Sequence, residues 1–103
     1  MNIENEIEKE IQDKGLNAPR LTPQLIDSVI FDIDYYVFPK TQLTVCCLTL
    51  KNGFSVTGES ACARPENFNK EIGEKIAFDK ARNKIWMLEG YLLKQKLNIL
   101  ESN

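Results

Sequence analysis

Apolar and polar positions divide the chain into six segments with two different periods. Ile3, Ile7 and Ile11 recur every fourth residue through an otherwise charged stretch, which predicts an amphipathic helix from about Asn2 to Lys14, stopped at Gly15. Thr22-Pro23 is a helix start, threonine at the N-cap and proline in the first turn, and predicts a short helix with Leu25, Ile26, Val29 and Ile30 on one face. From Phe31 the period falls to two. Phe31, Ile33, Tyr35 and Val37 alternate with Asp32 and Asp34, the pattern of a half-buried strand. After a turn at Pro39-Lys40, Leu43 to Leu50 predicts a second strand. Asn52-Gly53 then signals a type I′ hairpin, leading into a third strand from Phe54 to about Cys62. Gly58 inside that strand marks a bulge or the close approach of another group.

Pro65-Glu66-Asn67 opens a helical pattern that persists to about Leu97 or Leu100, with Gly90 as the place for a bend. Its apolar residues fall into two stripes, Phe68, Ile72, Ile76, Trp86, Met87, Leu93, Leu97 and Ala77, Ala81, Ile85, Leu88, Leu92. A helix apolar on two sides needs two partners. One is the sheet; the other is the N-terminal helices or a second copy of the chain. The expected fold is α+β, one domain over residues 1–103: a three-stranded antiparallel meander sheet with two short N-terminal helices and one long C-terminal helix.

Composition narrows the function. The chain has 103 residues, 43% of them hydrophobic and 27% charged, and carries 13 Lys and Arg against 15 Asp and Glu, for a net charge of -2. Such a balance gives no electrostatic footprint for DNA or RNA. Histidine is absent, which removes the usual general base and the commonest transition-metal ligand. No secretory leader or membrane-spanning run is read, so a cytoplasmic protein is expected. In that compartment Cys46, Cys47 and Cys62 are read as free thiols. The first two, adjacent on a strand, point to opposite faces. Neither a metal site nor a cofactor is expected. Glu4, Glu6, Glu8, Glu10 and Asp13 read as a solvated helix face, and Lys75, Lys80, Arg82 and Lys84 as ordinary surface charge. Trp86 reads as a core or interface anchor.

Chemistry concentrates where the third strand meets the long helix. A helix start offers free N–H groups and a positive dipole end to an anion, and Ser60, Arg64 and Asn67 stand near it. The competing reading has Ser60 and Asn67 shaping the turn, with Arg64 solvated. Arg20, in a loop stiffened by Pro19 just before a helix, is placed to hold a phosphate. The acidic pairs Asp32/Asp34 and Glu59/Glu66 provide only scattered carboxylates, and no catalytic residue is assigned.

The strings Lys14-Gly15-Leu16-Asn17-Ala18-Pro19-Arg20-Leu21-Thr22-Pro23 and Leu50-Lys51-Asn52-Gly53-Phe54-Ser55-Val56-Thr57-Gly58-Glu59-Ser60-Ala61-Cys62 resemble the phage gene-49/gene-66 family of small phage and prophage proteins. So do Pro65-Glu66-Asn67-Phe68, Glu71-Ile72-Gly73, Asn83-Lys84-Ile85-Trp86 and Gly90-Tyr91, the whole running from about Ile7 to Leu97. One similar branch is the Thoeris anti-defence protein 1 type. These are homo-oligomeric sponges for cyclic ADP-ribose isomers made by bacterial immune TIR enzymes, and some also hold cyclic oligonucleotides. The resemblance implies Arg20 and Lys84 as phosphate contacts and Asn67 as a partner for ribose or phosphate. It implies Thr57 and Phe68 as the wall around base or sugar. Thr57 departs from the branch, which carries a bulkier, more aromatic wall there.

The expected function is therefore sequestration of a cyclic nucleotide immune signal in the host cytoplasm, without cleavage, by a homo-oligomer that engages neither membrane nor nucleic-acid polymer. The alternative is a phage accessory protein that binds a host protein through an apolar helix surface. A small hydrolase is a third and weaker reading.

Overall fold

The structure, a computed structural model, describes residues 3–16 and 18–102. Asn2, expected to begin the first helix, and Asn17 of the first family string lie outside the described residues. Helix α1 spans Ile3–Asp13, α2 Pro23–Ser28 and α3 Lys70–Glu101; strands β1 (Ile30–Val37), β2 (Leu43–Leu50) and β3 (Ser55–Ala61) lie between. The strands form one antiparallel sheet in the order β1-β2-β3, the expected meander. The fold is α+β, with a three-stranded sheet and a long C-terminal helix.

Local chemistry fixes most boundaries. The α1 chain reverses at Gly15, where φ is +67° and the Leu16 N–H reaches back to the Ile11 carbonyl. Thr22 Oγ1 accepts from the Leu25 N–H at 3.1 Å with Pro23 in the first turn, as the cap reading requires. The helix ends earlier than expected. Val29 is its C-cap and Ile30 already belongs to β1, pairing with Leu50. The β2–β3 hairpin forms at the expected residues but with a different turn. Gly53 (φ 90°) has positive φ and Asn52 does not, and the Gly53 N–H closes on the Leu50 carbonyl at 2.9 Å. That is the pattern of a type I turn followed by a left-handed glycine rather than type I′.

The core lies between α3 and the face of β2 and β3 that carries Cys46, Leu48, Leu50 and Val56. Ala77, Ala81 and Ile85, the second apolar stripe, press against this face, and Ile26 of α2 closes one end. Gly58 explains why the stripe begins with alanines. A β-carbon on Gly58 would fall on the Ala77 carbonyl oxygen and the Ala81 amide nitrogen, so the helix backbone rests directly on the strand. The pairing through Gly58 stays regular, opposite Cys46, so the glycine marks close approach and not a bulge.

β1 departs from the half-buried reading. Its alternation is as expected, with Ile33, Tyr35 and Val37 opposite Leu48, Cys46 and Thr44. However, α3 packs chiefly across β2 and β3, and only the ends of this edge strand are half-buried, Ile30 against the core and Val37 at the far end. Phe31 falls at the register irregularity between Ile30 and Asp32 and is 73% exposed rather than turned inward.

The long helix also starts later than expected. Pro65–Asn67 forms a separate 3₁₀ turn, Phe68 is extended, and Asn69 Oδ1 caps α3 by accepting from the Ile72 N–H at 3.0 Å. Proline at the start of a segment suits either helix type, and the asparagine with a free first-turn N–H opposite it decides the boundary. From Lys70 the helix runs unbroken through Gly90 to Glu101, roughly 48 Å at 1.5 Å per residue, and sets the 56 Å long axis of the molecule. Beyond Ile85 no residue of α3 is buried. Ile72, Ile76 and Met87 of the first stripe are exposed.

Candidate functional site

Two polar features are built on this frame, at different levels of α3. The first is a cavity of about 110 Å³ where the end of β3, the 3₁₀ turn and the first turns of α3 converge. Three residues singled out from the sequence, Ser60, Asn67 and Phe68, line it together with Gln42, Thr44 and Gly73. Ser60 is on the inward face of β3, with Val56 and Gly58. Asn67 and Phe68 arrive from the turn, whose backbone is held by the Asn67 and Phe68 N–H groups donating to the Arg64 and Pro65 carbonyls. Thr44 carries the unusual chemistry. It occupies an inward position of β2 that the alternation assigns to an apolar residue, and it is fully buried. Its Oγ1 has no hydrogen-bond partner among the described residues. Gly73 lets the hydroxyl come close, since a β-carbon there would stand 3.0 Å from it. A cavity beside a helix start, with a buried hydroxyl on its wall, is suited to a polar or anionic group.

The other assigned residues lie apart. Thr57 is on the outward face of β3, on the opposite side from Ser60, and does not line the cavity with Phe68. The Arg64 side chain is exposed, while its carbonyl accepts from Cys62 Sγ at 3.2 Å. Lys84 is exposed on α3 one residue before the buried Ile85. Arg20 precedes Leu21, whose side chain lies beside Gly90, and from Asn69 to Gly90 is roughly 30 Å along the helix. One chain therefore does not bring Arg20 to Asn67.

Arg20 belongs to the second feature, which the sequence did not reveal. Its NH1 and NH2 donate to Glu8 Oε1 and Oε2, both at 2.6 Å, a forked pair. That bond holds the Glu8 carboxyl below its ordinary value and raises Arg20 further. Arg82, read as surface charge, is 8% exposed. Its Nε donates to Asp27 at 2.8 Å, its NH1 to Glu4 Oε2 at 2.7 Å and its NH2 to the Pro23 carbonyl at 3.4 Å. Burial works against its charge, but the hydrogen bonds to Glu4 and Asp27 prevail and Arg82 is raised. Trp86, one turn later, donates from Nε1 to the same Glu4 oxygen at 2.9 Å. Glu4 and Glu8, expected on a solvated face, are thus the residues that dock α1. Nothing local to Arg82 or Trp86 signals this, because their partner Glu4 stands 78 and 82 residues away in sequence. A polar cleft of about 910 Å³ adjoins, between Ile3, Glu4 and Asn5 on one side and Asp79, Arg82 and Asn83 on the other.

The cysteines are free, and Cys46 and Cys47 point to opposite faces as expected. Burial, aided by the neighbouring Cys47 and Asp34, pushes the Cys46 thiol up to about 11. Among the described residues, no three His, Cys, Asp or Glu side chains gather where they could hold a metal ion. No helix there is long and apolar enough to cross a membrane.

No curated protein and no solved structure was found to match the chain. A family match does exist, over residues 21–97, from the start of α2 through most of α3, and it takes in β3, the cavity-lining turn and Arg82-to-Trp86. By that match the chain belongs to the Phage protein (N4 Gp49/phage Sf6 gene 66) family.

Proposed function

We propose that this phage protein is an anti-defence sponge: it binds and sequesters a cyclic nucleotide immune signal, a cyclic ADP-ribose isomer or cyclic oligonucleotide, in the host cytoplasm without cleaving it. The observation that carries the reading is the cavity at the start of α3, where Ser60, Asn67 and Phe68 meet the buried, unpartnered Thr44 hydroxyl. A nucleotide offers a sugar hydroxyl or phosphate oxygen to such a group and a ring to Phe68. At about 110 Å³ the cavity takes part of a nucleotide, not all of it. Lys84, and Arg20 once it exchanges Glu8 for the ligand, then supply phosphate contacts from a second copy of the chain, which also covers apolar positions such as Ile72 and Ile76.

Calorimetry with a panel of cyclic ADP-ribose isomers and cyclic di- and trinucleotides tests this. Binding of one member, with that member recovered intact after denaturation, is the expected result. No heat from any of them on an assembled sample overturns the reading. Arg20→Ala and Lys84→Ala should each weaken binding on the order of tenfold, through loss of a charge-assisted hydrogen bond. A second reading, an accessory protein that binds a host protein, is favoured by one observation. Met87 and Tyr91, a turn apart on α3, are 72% and 71% exposed.

A further inference from the structure

Helix α1 contributes no buried residue to the molecule, yet it lies against the body of the fold. Two carboxylates hold it there. Glu8 receives both arms of the Arg20 fork, and Glu4 Oε2 receives Arg82 NH1 and Trp86 Nε1 together. The two carboxylates are one turn apart, roughly 6 Å along the helix. The apolar part of the contact is loose, because a gap of about 310 Å³ remains between Ile7 and Ile11 on one side and Leu21, Pro23 and Trp86 on the other. Charge pairing, not packing, therefore dominates this docking.

Arg82 and Trp86, beneath α1, have anchors of their own. Arg82 stays anchored through Nε to Asp27 and through NH2 to the Pro23 carbonyl, and Trp86 packs against the core. With α1 lifted, Arg82 NH1 and the Trp86 N–H would remain as oriented donors without these acceptors, and both Arg20 arms would be released, NH1 keeping its 3.5 Å contact with the Leu21 carbonyl. Uncovered in this way, the donors are open to an anion that takes the place of the lost carboxylates. Forked guanidinium groups match phosphate as well as carboxylate. The match to the phage family begins at residue 21, so α1 and Arg20 lie outside the matched stretch while Arg82 and Trp86 lie within it.

We propose that α1 is a charge-latched strap over an anion-binding surface made by Arg20, Arg82 and Trp86, and that a phosphate-bearing ligand competes with Glu4 and Glu8 for that surface. Lifting the strap also removes one wall of the adjoining polar cleft. The choice of phosphate as the competing anion rests on the nucleotide reading; the strap itself does not.

Trp86, the chain's single tryptophan, reports the event directly. Acrylamide quenching of its fluorescence is measured as sodium tripolyphosphate replaces sodium chloride at constant ionic strength. Quenching should rise on the order of twofold, and Glu8→Gln should show elevated quenching before any phosphate is added. Exchanging the pair, Glu8→Arg with Arg20→Glu, should restore the protected tryptophan while weakening the response to tripolyphosphate. Tripolyphosphate acting no more strongly than chloride of equal ionic strength overturns the proposal, as does Glu8→Gln quenching like the parent chain. Glu4→Gln gives a second reading of the latch should Glu8→Gln fold poorly. Nucleotide calorimetry is read separately, so failure of the sponge and failure of the strap are distinguishable.

Discussion

Gly58 of β3 lies directly beneath the Ala77 carbonyl of α3, with no room between them for a single methyl group. The whole contact between helix and sheet is set by this approach, because Ala77, Ala81 and Ile85 sink into the core only if the backbones meet here. Gly58→Ala would force the helix off β3 and open the core on both sides. A loss of about 3 kcal/mol or more in unfolding free energy is expected by urea denaturation. A variant as stable as the parent would show that the helix can shift without loss of packing.

From α3, Arg82 ties together two parts of the chain that are distant from it in sequence, α1 through Glu4 and α2 through the Pro23 carbonyl and Asp27. Arg82→Ala leaves those acceptors and the space around them without a donor. Breaking a buried pair from one side costs about 3–5 kcal/mol, and the lower end applies here because Asp27 is itself largely exposed. Lysine should restore little of it, since one ammonium cannot reach all three acceptors in the fixed directions of the fork. Chemical denaturation of both variants gives the comparison.

The difference between what the sequence revealed and what it hid follows from the range of the interactions. Thr22, Gly15 and the Asn52-Gly53 hairpin act within a few residues, so the caps and the place of the hairpin could be read directly, though not its turn type. The stripe of Ala77, Ala81 and Ile85 was equally legible, since its spacing is its own evidence. Arg82 was not, because its burial depends on Glu4, 78 residues away in sequence. The exposure of β1 depends likewise on where α3 stops, which no residue of β1 encodes. Of the candidate site, Ser60, Asn67 and Phe68 were found because they flank one junction. Thr44 was missed because a threonine is unremarkable on a strand until the partner of its hydroxyl is sought.

The docking of α1 should depend on acid in a defined direction. Arg20 holds the Glu8 carboxyl below its ordinary value of 4.5, so as pH falls the unfolded or undocked carboxyl takes up a proton first. The contribution is complete above about 4.5 and is lost as pH falls through the lowered value of the docked state. Trp86 quenching followed in an acid titration should rise below that point. In Arg20→Gln, which breaks the same pair, quenching should already be raised at neutral pH and the rise with acid should be smaller; a titration like the parent's would separate Glu8 from the docking.

Thiol labelling should divide the three cysteines. Cys46 is fully buried with its thiol pushed up to about 11, whereas Cys47 and Cys62 are half-exposed. At pH 8 a maleimide should modify Cys47 and Cys62 and reach Cys46 only on unfolding, as read by peptide mass spectrometry. The raised thiol adds stability that is complete below the ordinary value of 9.0 and is lost as pH rises through about 11. Prompt labelling of Cys46 in the folded protein would mean that the contact between α3 and β2 opens readily.

Thr44 offers a test in which stability and binding move in opposite directions. Its hydroxyl is buried and unpartnered in the cavity wall, which costs about 1–3 kcal/mol relative to an apolar group of the same shape. Thr44→Val removes the hydroxyl and keeps the branch, so the free protein should gain about 1 kcal/mol in urea denaturation. If the hydroxyl instead serves a nucleotide, the same variant should bind that nucleotide more weakly, on the order of tenfold. A merely structural threonine would show the gain in stability and no loss of affinity. Destabilisation by Thr44→Val would mean that the hydroxyl has an acceptor in solution, and the cavity would then lose the feature that marks it as a site.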